Sequence, residues 1–185
     1  MVALSIERLY EVIEQLGPSG EADELGVILD VPQRRTFRYL FSYGIPSKAA
    51  ILGIGDFAGG QPICEVGAGR GLWAKLLTAA GVAVDATDHA VTPEGLSRKK
   101  SGYFDESRHL FHPVRTAFAR QAAAAVTALY AFRGDRLVYV GTTRGGCTAD
   151  DSFFDRLASD WTLDRELPIP TWDGIGDRVQ LYRRR

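Results

Sequence analysis

The stretch Pro62-Ile63-Cys64-Glu65-Val66-Gly67-Ala68-Gly69-Arg70-Gly71-Leu72-Trp73-Ala74-Lys75-Leu76-Leu77 decides the fold that we expect for this chain. A short apolar run carries one acid, glycines follow at alternate positions, and a helical pattern of apolar residues begins at once. Ile63, Cys64 and Val66 are typical of a strand that a parallel sheet buries on both faces. The order therefore predicts a buried strand, a tight turn and a helix.

The turn contains Gly67, Gly69 and Gly71. Glycine lets the backbone bend sharply and approach a ligand closely, because no side chain is in the way. The helix that begins near Gly71 has unpaired amide donors and the positive end of a dipole at its start. The turn is therefore predicted to bind a ligand that carries a carboxylate or a phosphate.

A second short strand is predicted about 20 residues further on, where units of this kind carry an acid that binds ribose hydroxyls. The sequence there is Gly81-Val82-Ala83-Val84-Asp85-Ala86-Thr87-Asp88. Val82 and Val84 belong to the strand, and Asp88 stands just past its carboxyl end. The Asp88 carboxylate can accept hydrogen bonds from both hydroxyls of a nucleoside.

These residues resemble the class I methyltransferases, which use S-adenosylmethionine. Glu65-x-Gly67-x-Gly69-x-Gly71 is similar to the first motif of that family, and Asp88 resembles the acid that holds the adenosine ribose. The resemblance implies an α/β fold with a Rossmann-like, open, twisted and mostly parallel sheet. It implies S-adenosylmethionine as cofactor, bound by Glu65, Gly67, Ala68, Gly69, Gly71, Asp88, His89 and Tyr43.

More narrowly, the chain resembles a group of bacterial and fungal methyltransferase-like proteins over residues 36–185. That group shares a Tyr-x-Ile-Pro segment before the first motif, a Trp just after it, and Gly-Gly-Cys-Thr-Ala and Trp-x-Gly pieces in the tail. The similar pieces here are Tyr43-Gly44-Ile45-Pro46, Trp73, Gly145-Gly146-Cys147-Thr148-Ala149 and Trp172-Asp173-Gly174.

One piece of that pattern is missing. Between His112-Pro113-Val114 and Gly134-Asp135-Arg136, the related sequences carry a Leu-Leu-Leu strand, then Trp-Pro-Pro and a helix, whereas this chain has room only for the helix. The resemblance therefore implies a sheet reduced in strand number, without the strand beside the glycine-turn strand. The carboxyl end of that strand usually faces the transferred methyl group, so the gap bears on catalysis more than on cofactor binding.

Length and composition narrow the classes of function. The 185 residues suffice for one well-cored domain, and a hydrophobic content of 45% with 24% charged residues is typical of a soluble globular protein. A net charge of -1 argues against general binding to nucleic acid or membrane surfaces, which needs a basic field. Two cysteines form neither a disulfide framework nor a zinc motif. We expect a cytoplasmic protein with a small-molecule substrate and no metal.

The chain is expected to divide into a helical extension over residues 1–60, which forms a lid over the cofactor, and a cofactor-binding domain over residues 61–185. Within the second part, the alanine-rich segment Thr116–Phe132 is predicted to be a helix. A strand is predicted over Arg136–Gly141, and a helix over Asp150–Ser159. Trp161–Leu167 and Val179–Arg183 are predicted to be a closing strand pair, antiparallel in one interpretation.

His112 and Tyr103 are the candidate catalytic residues. His112 adjoins a predicted strand and carries an imidazole suited to general base catalysis, although a structural hydrogen bond ahead of Pro113 is the alternative. Tyr43 either closes over the methionine end of the cofactor or belongs to the core. Cys147 has no evident activating base, which disfavours it as a nucleophile.

Three functional hypotheses follow. The first is an S-adenosylmethionine-dependent methyltransferase acting on a small-molecule acceptor. The second is an S-adenosylmethionine-binding protein without methyl transfer, either a regulatory or scaffold homodimer or an enzyme that cleaves or cyclises the cofactor. The third is a nicotinamide dinucleotide enzyme. Leu72 disfavours it, because this residue takes the sixth position of the Gly-x-Gly-x-x-Gly/Ala pattern counted from Gly67, although Ala74 satisfies the pattern counted from Gly69. A turn that only packs helix on strand is the purely architectural alternative.

Overall fold

The computed structural model describes residues 5–17, 37, 40–88, 91–92, 95–96, 110–116, 124–146, 148–172 and 174–185, and has a mixed α/β architecture with two main sheets. The helices are α1 (Ile6–Leu16), α2 (Lys48–Ala58), α3 (Leu72–Ala79), α4 (Ala124–Ala131) and α5 (Asp151–Asp160). The strands are β1 (Ile63–Val66), β2 (Val84–Asp88), β3 (Val91–Thr92), β4 (Gly95–Leu96), β5 (Val114–Thr116), β6 (Arg136–Gly141), β7 (Trp161–Leu167) and β8 (Arg178–Arg184).

The first sheet is parallel and has the strand order β1-β2-β5. Ile63 of β1 pairs with Val84 of β2, and Ala86 of β2 pairs with Val114 of β5. Helix α3 connects β1 to β2, as parallel neighbours require a crossover. The predicted order of strand, glycine turn and helix is therefore confirmed. A two-stranded antiparallel ladder of β3 and β4 follows β2.

The second sheet is antiparallel and has the order β6-β8-β7. Val138 of β6 pairs with Leu181 of β8, and Leu163 of β7 pairs with Tyr182 of β8. This arrangement confirms the predicted strand over Arg136–Gly141 and the antiparallel interpretation of the closing pair. Helix α5, which precedes β7, is also confirmed.

Helix α2 lies against both sheets. A Cβ atom on Gly53 would come within 2.6 Å of Leu167 Cδ1 in β7, so glycine allows the helix to approach the second sheet closely. On the side of the first sheet, a Cβ atom on Gly55 would lie 3.3 Å from Val82 Cγ2. One apolar core results, and it includes Ile51, Ile54, Phe57, Leu72, Trp73, Leu76, Val179 and Leu181.

Strand β1 is less buried than the sequence predicts. Cys64 is exposed, and the Val66 side chain retains 50% of its accessible surface. The expectation of a strand buried on both faces is therefore wrong. The physical reason is that alternate residues of a strand point to opposite faces. Ile63 and Glu65 are partly buried, whereas Cys64 and Val66 lie on the face that carries the exposed ion pair of Asp85 and Arg115.

The alanine-rich segment also differs from the prediction of one helix over Thr116–Phe132. Thr116 is the last residue of β5 and pairs with Asp88, and the described helix α4 covers Ala124–Ala131. Pairing with β2 outweighs local helix propensity at the start of this segment. Residues 18–36 of the expected helical extension lie outside the described residues. Within the described ranges, no helix is long and apolar enough to cross a membrane.

The contact between Arg136 and the end of α2 yields a stability prediction. Arg136 Nη1 donates hydrogen bonds to the carbonyls of Phe57 and Ala58, at 2.7 and 2.8 Å. The Phe57 and Ala58 carbonyls lie in the last turn of α2, where carbonyls lack partners within the helix, and the bonds from Arg136 are strengthened by the charge of its guanidinium. We expect Arg136→Ala to lower the free energy of unfolding by about 2 kcal/mol in urea denaturation.

Arg115→Ala is the matched control, because Arg115 makes an exposed ion pair with Asp85 and contacts no helix end. Its effect on the urea midpoint should be much smaller. Equal losses in the two variants would contradict the assigned role of Arg136.

Candidate functional site

The glycine turn has the backbone geometry that the sequence predicts. Gly67, Gly69 and Gly71 have φ angles of 75°, 54° and 76°, which residues with side chains rarely adopt. At Gly71 a Cβ atom would also lie 2.9 Å from the Cβ atom of His112, so a larger residue does not fit. At Gly67 no atom of the described residues lies within 4 Å of a Cβ position, so the described part of the chain leaves the turn open on this side.

Backbone hydrogen bonds anchor the turn to the end of β2. The amides of Gly67 and Ala68 donate to the Thr87 carbonyl at 2.9 and 3.0 Å. In return, the Thr87 hydroxyl donates to the Glu65 carbonyl at 2.8 Å. The turn and the end of β2 are thus joined by hydrogen bonds on both sides. Thr87, which makes these bonds, was not predicted from the sequence as a site residue.

Asp88 lies against the turn, as expected for an acid at the end of the second strand. Its Oδ2 atom accepts a hydrogen bond from the Gly69 amide at 2.8 Å, and the residue is only 7% exposed. An ionised carboxylate is an acceptor only, so Asp88 presents an acceptor at the glycine turn. The structure therefore brings Asp88 together with three glycines of the predicted site.

Glu65 is the second acid of the site and is almost fully shielded from solvent. Its Oε2 atom has no hydrogen-bond partner among the described residues. Burial raises the pKa of Glu65 to about 7, opposed by a hydrogen bond from the Ala74 backbone and assisted by the negative charge of Asp88. Because Ala74 belongs to the first turn of α3, the carboxyl group lies at the start of that helix.

Residues 40–46 contact the same end of α3. Trp73 Nε1 donates to the Gly44 carbonyl at 3.3 Å, and Arg70 Nη1 donates to the Leu40 carbonyl at 2.5 Å. The Arg70 guanidinium also lies 5.1 Å from the centre of the Phe111 ring. Tyr43, which is 48% exposed, lies in the sequence between Leu40 and Gly44, the two residues whose carbonyls these bonds anchor. Arg70 is buried here, although it was not among the predicted site residues, because nothing in the sequence around a charged residue in a glycine turn indicates burial.

His112 is directed along α3. Its Nδ1 atom lies 2.8 Å from the Pro113 carbonyl, which can only accept, so Nδ1 donates. The Nε2 atom lies 3.3 Å from the hydroxyl of Thr78, one residue before the end of α3. The base of the His112 side chain therefore lies beside Gly71, and the imidazole extends from there along α3 to Thr78. The role of His112 as a general base stays a prediction.

Other candidates can be placed only in part. His89, Tyr103 and Cys147 lie outside the described residues. Within the described part of the chain, no group of three or more His, Cys, Asp or Glu side chains could hold a metal ion.

In comparisons with known proteins, no family model, no curated protein and no solved structure matches this chain.

The burial of Glu65 predicts how stability depends on pH. In the unfolded chain this carboxyl ionises near 4.5, whereas in the folded protein its pKa is about 7. The stabilisation from the protonated form is fully present below pH 4.5, decreases as the pH rises, and is lost above about pH 7. The loss is on the order of 3 kcal/mol at 1.36 kcal/mol per pKa unit.

The variant Glu65→Gln should remove this decrease, because its neutral amide can still accept from Ala74. Urea denaturation between pH 4 and pH 8 measures the effect. Glu7→Gln, an exposed substitution on α1, is the control and should keep the wild-type profile. A wild-type profile that is flat from pH 4.5 to pH 7 would rule out the raised pKa.

Proposed function

We propose that this chain is a class I methyltransferase-like domain that binds S-adenosylmethionine and transfers its methyl group to a small-molecule acceptor. The observation that carries the proposal is the convergence of the glycine turn, Asp88 and the buried Glu65 at the start of α3. A glycine turn alone is weak evidence. Its hydrogen bond to an acid at the end of the next strand is the feature that a nucleoside site needs.

The residues present fit the cofactor. The Asp88 carboxylate is an acceptor of the kind that ribose hydroxyls require, and the amides at the start of α3 suit the methionine carboxylate. The Glu65 Oε2 atom is a shielded acceptor that has no donor among the described residues, and an ammonium group would supply one. The open side of Gly67 gives space for a ligand. Tyr43 and His89 are proposed to cover the methionine and adenine ends.

The topology supports the same proposal. In a doubly wound sheet of order 3-2-1-4-5-6, the first three strands lie on one side of the fourth and the later strands on the other. The order β5-β2-β1 corresponds to the first half, and β6 opens the second. The described strands contain no equivalent of the fourth, in keeping with the short segment between β5 and β6.

The protein's task in such a reaction is mainly to position the reactants. S-adenosylmethionine supplies a methyl group on a sulfonium; the acceptor lone pair forms the new bond to carbon while the carbon–sulfur pair returns to sulfur. Asp88 and the turn fix the donor, which accounts for much of the rate. For an oxygen or nitrogen acceptor, a base must also remove a proton, and His112 and Tyr103 are the proposed candidates.

A second candidate function is cofactor binding without methyl transfer. The free edge of β1 favours it, since the strand that would line the reacting end of the site is not found among the described elements. In this case the bound cofactor would regulate an assembly of protein subunits, and the simplest such assembly is a homodimer.

Titration calorimetry with S-adenosylhomocysteine tests the cofactor site. We expect Asp88→Ala to weaken binding by about 100-fold, because two hydrogen bonds to a charged acceptor are worth about 3 kcal/mol. Asp85→Ala is the matched control: it lies on the same strand, is exposed, and should bind like the wild type. Equal affinity in Asp88→Ala and wild type would contradict the proposal, as would preferential binding of NAD.

Methyl transfer is tested separately by supplying S-adenosylmethionine with a broad panel of hydroxyl, amine and thiol acceptors. We expect S-adenosylhomocysteine to form with at least one acceptor, and the Asp88→Ala variant to lose this product. Cofactor bound without any methylated product across the panel would favour the second candidate.

A further inference from the structure

Arg70 is the only charged residue of the glycine turn, and it is 7% exposed. A buried guanidinium is costly unless protein groups meet its donors and its charge. Its Nη1 atom donates to the Leu40 carbonyl at 2.5 Å, and the centre of the guanidinium lies 5.1 Å from the centre of the Phe111 ring. The side chain thus joins the turn to two segments that are distant in sequence.

The first of these segments is residues 40–46, which we call the strap. Phe41 and Ile45 are 7% and 2% exposed and belong to the main apolar core. Tyr43 lies between them in sequence and is 48% exposed. The strap is therefore fixed in the core on either side of one exposed aromatic side chain.

Two hydrogen bonds attach the strap backbone to the turn and to α3. Arg70 donates to the Leu40 carbonyl, and Trp73 Nε1 donates to the Gly44 carbonyl at 3.3 Å. Because these two carbonyls enclose Tyr43 in sequence, the position of Tyr43 relative to the turn depends on both bonds.

The second segment contains Phe111 and leads through His112 to β5. The Phe111 amide donates to the Arg70 carbonyl at 2.8 Å, so the backbone and the side chain of Arg70 both contact this residue. The Phe111 ring also stacks on Phe41 of the strap, with 5.9 Å between the ring centres and 17° between the planes. Arg70 is therefore the residue of the turn at which the strap and the segment before His112 meet.

We propose that Arg70 is a positioning residue of the cofactor site, which holds Tyr43 and His112 in fixed places relative to the glycine turn. The inference rests on the proposed function, in which Tyr43 covers the methionine end of the cofactor and His112 is a candidate base. Arginine suits this role because its planar group donates from its rim while its face lies against an aromatic ring. A lysine cannot make both contacts at once.

Titration calorimetry of the full chain with S-adenosylhomocysteine tests this role by a double-mutant cycle. Arg70→Met keeps an unbranched side chain and removes the charge and the donors. We expect Tyr43→Ala and Arg70→Met each to weaken binding about tenfold, and the double variant to bind about as weakly as either single variant. The reason is that without Arg70 the strap no longer places Tyr43 at the cofactor. Independent roles would instead multiply to about 100-fold.

Arg136→Met is the matched control, because Arg136 also donates to backbone carbonyls of a distant segment but lies at the other end of α2 from the strap. It should lower the stability and leave the affinity at the wild-type value. Arg70→Lys keeps the charge and a donor, and its affinity should fall between those of the wild type and Arg70→Met.

The indole N–H of Trp73 reports on the strap without any cofactor. Arg70→Met removes one of the two bonds that attach the strap, so local opening should become easier and the hydrogen exchange of this N–H, followed by NMR, should become about tenfold faster. Arg136→Met should change this rate much less.

Wild-type affinity in Arg70→Met, losses that multiply in the double variant, or unchanged exchange at Trp73 would each overturn the positioning role. A wild-type protein that binds no S-adenosylhomocysteine would overturn the proposed function instead. In that case the exchange at Trp73 still decides whether Arg70 holds the strap.

Discussion

The bond between the Gly69 amide and the Asp88 carboxylate ties together the two halves of the site. It closes the glycine turn over the end of β2, and the bonds from Gly67 and Ala68 to Thr87 hold the same contact from the other side. The glycine turn also fixes where α3 begins. The first turn of α3 then places the Ala74 amide against the Glu65 carboxyl group. A site with two acids, three glycines and a helix end is thus the product of a single junction between β1, β2 and α3.

The second constraint is the packing of α2 against two separate sheets. The helix reaches the antiparallel sheet through Gly53, and Arg136 ties its end to the start of β6. This packing keeps β1 and β6 on opposite sides of one helix without a strand between them among the described residues. Cys64 and Val66 are exposed because they lie on the face of the first sheet that also carries the exposed Asp85.

The sequence predicted the parts of the fold that depend on local chemistry. The alternate glycines required a turn, the spacing to Asp88 required a neighbouring strand, and the strands β6, β7 and β8 followed from their apolar patterns. The predictions were wrong where contacts with residues distant in sequence decide whether a residue is buried or which secondary structure it adopts. Cys64 is apolar enough for a buried strand, but it lies on a sheet face that no described element covers. Thr116 lies in an alanine-rich segment, but pairing with Asp88 holds it in a strand. The direction of the His112 ring depends on Thr78, which no spacing reveals.

The central claim is that the junction of β1, β2 and α3 is the cofactor site. The most direct measurement is the map of backbone amide chemical shifts in the full chain as S-adenosylhomocysteine is added. The account predicts that the largest changes fall on Gly67, Gly69 and Asp88, with little change in β7 and α5. Shifts centred elsewhere, or none at saturating ligand, would contradict it and leave the glycine turn with a purely architectural role.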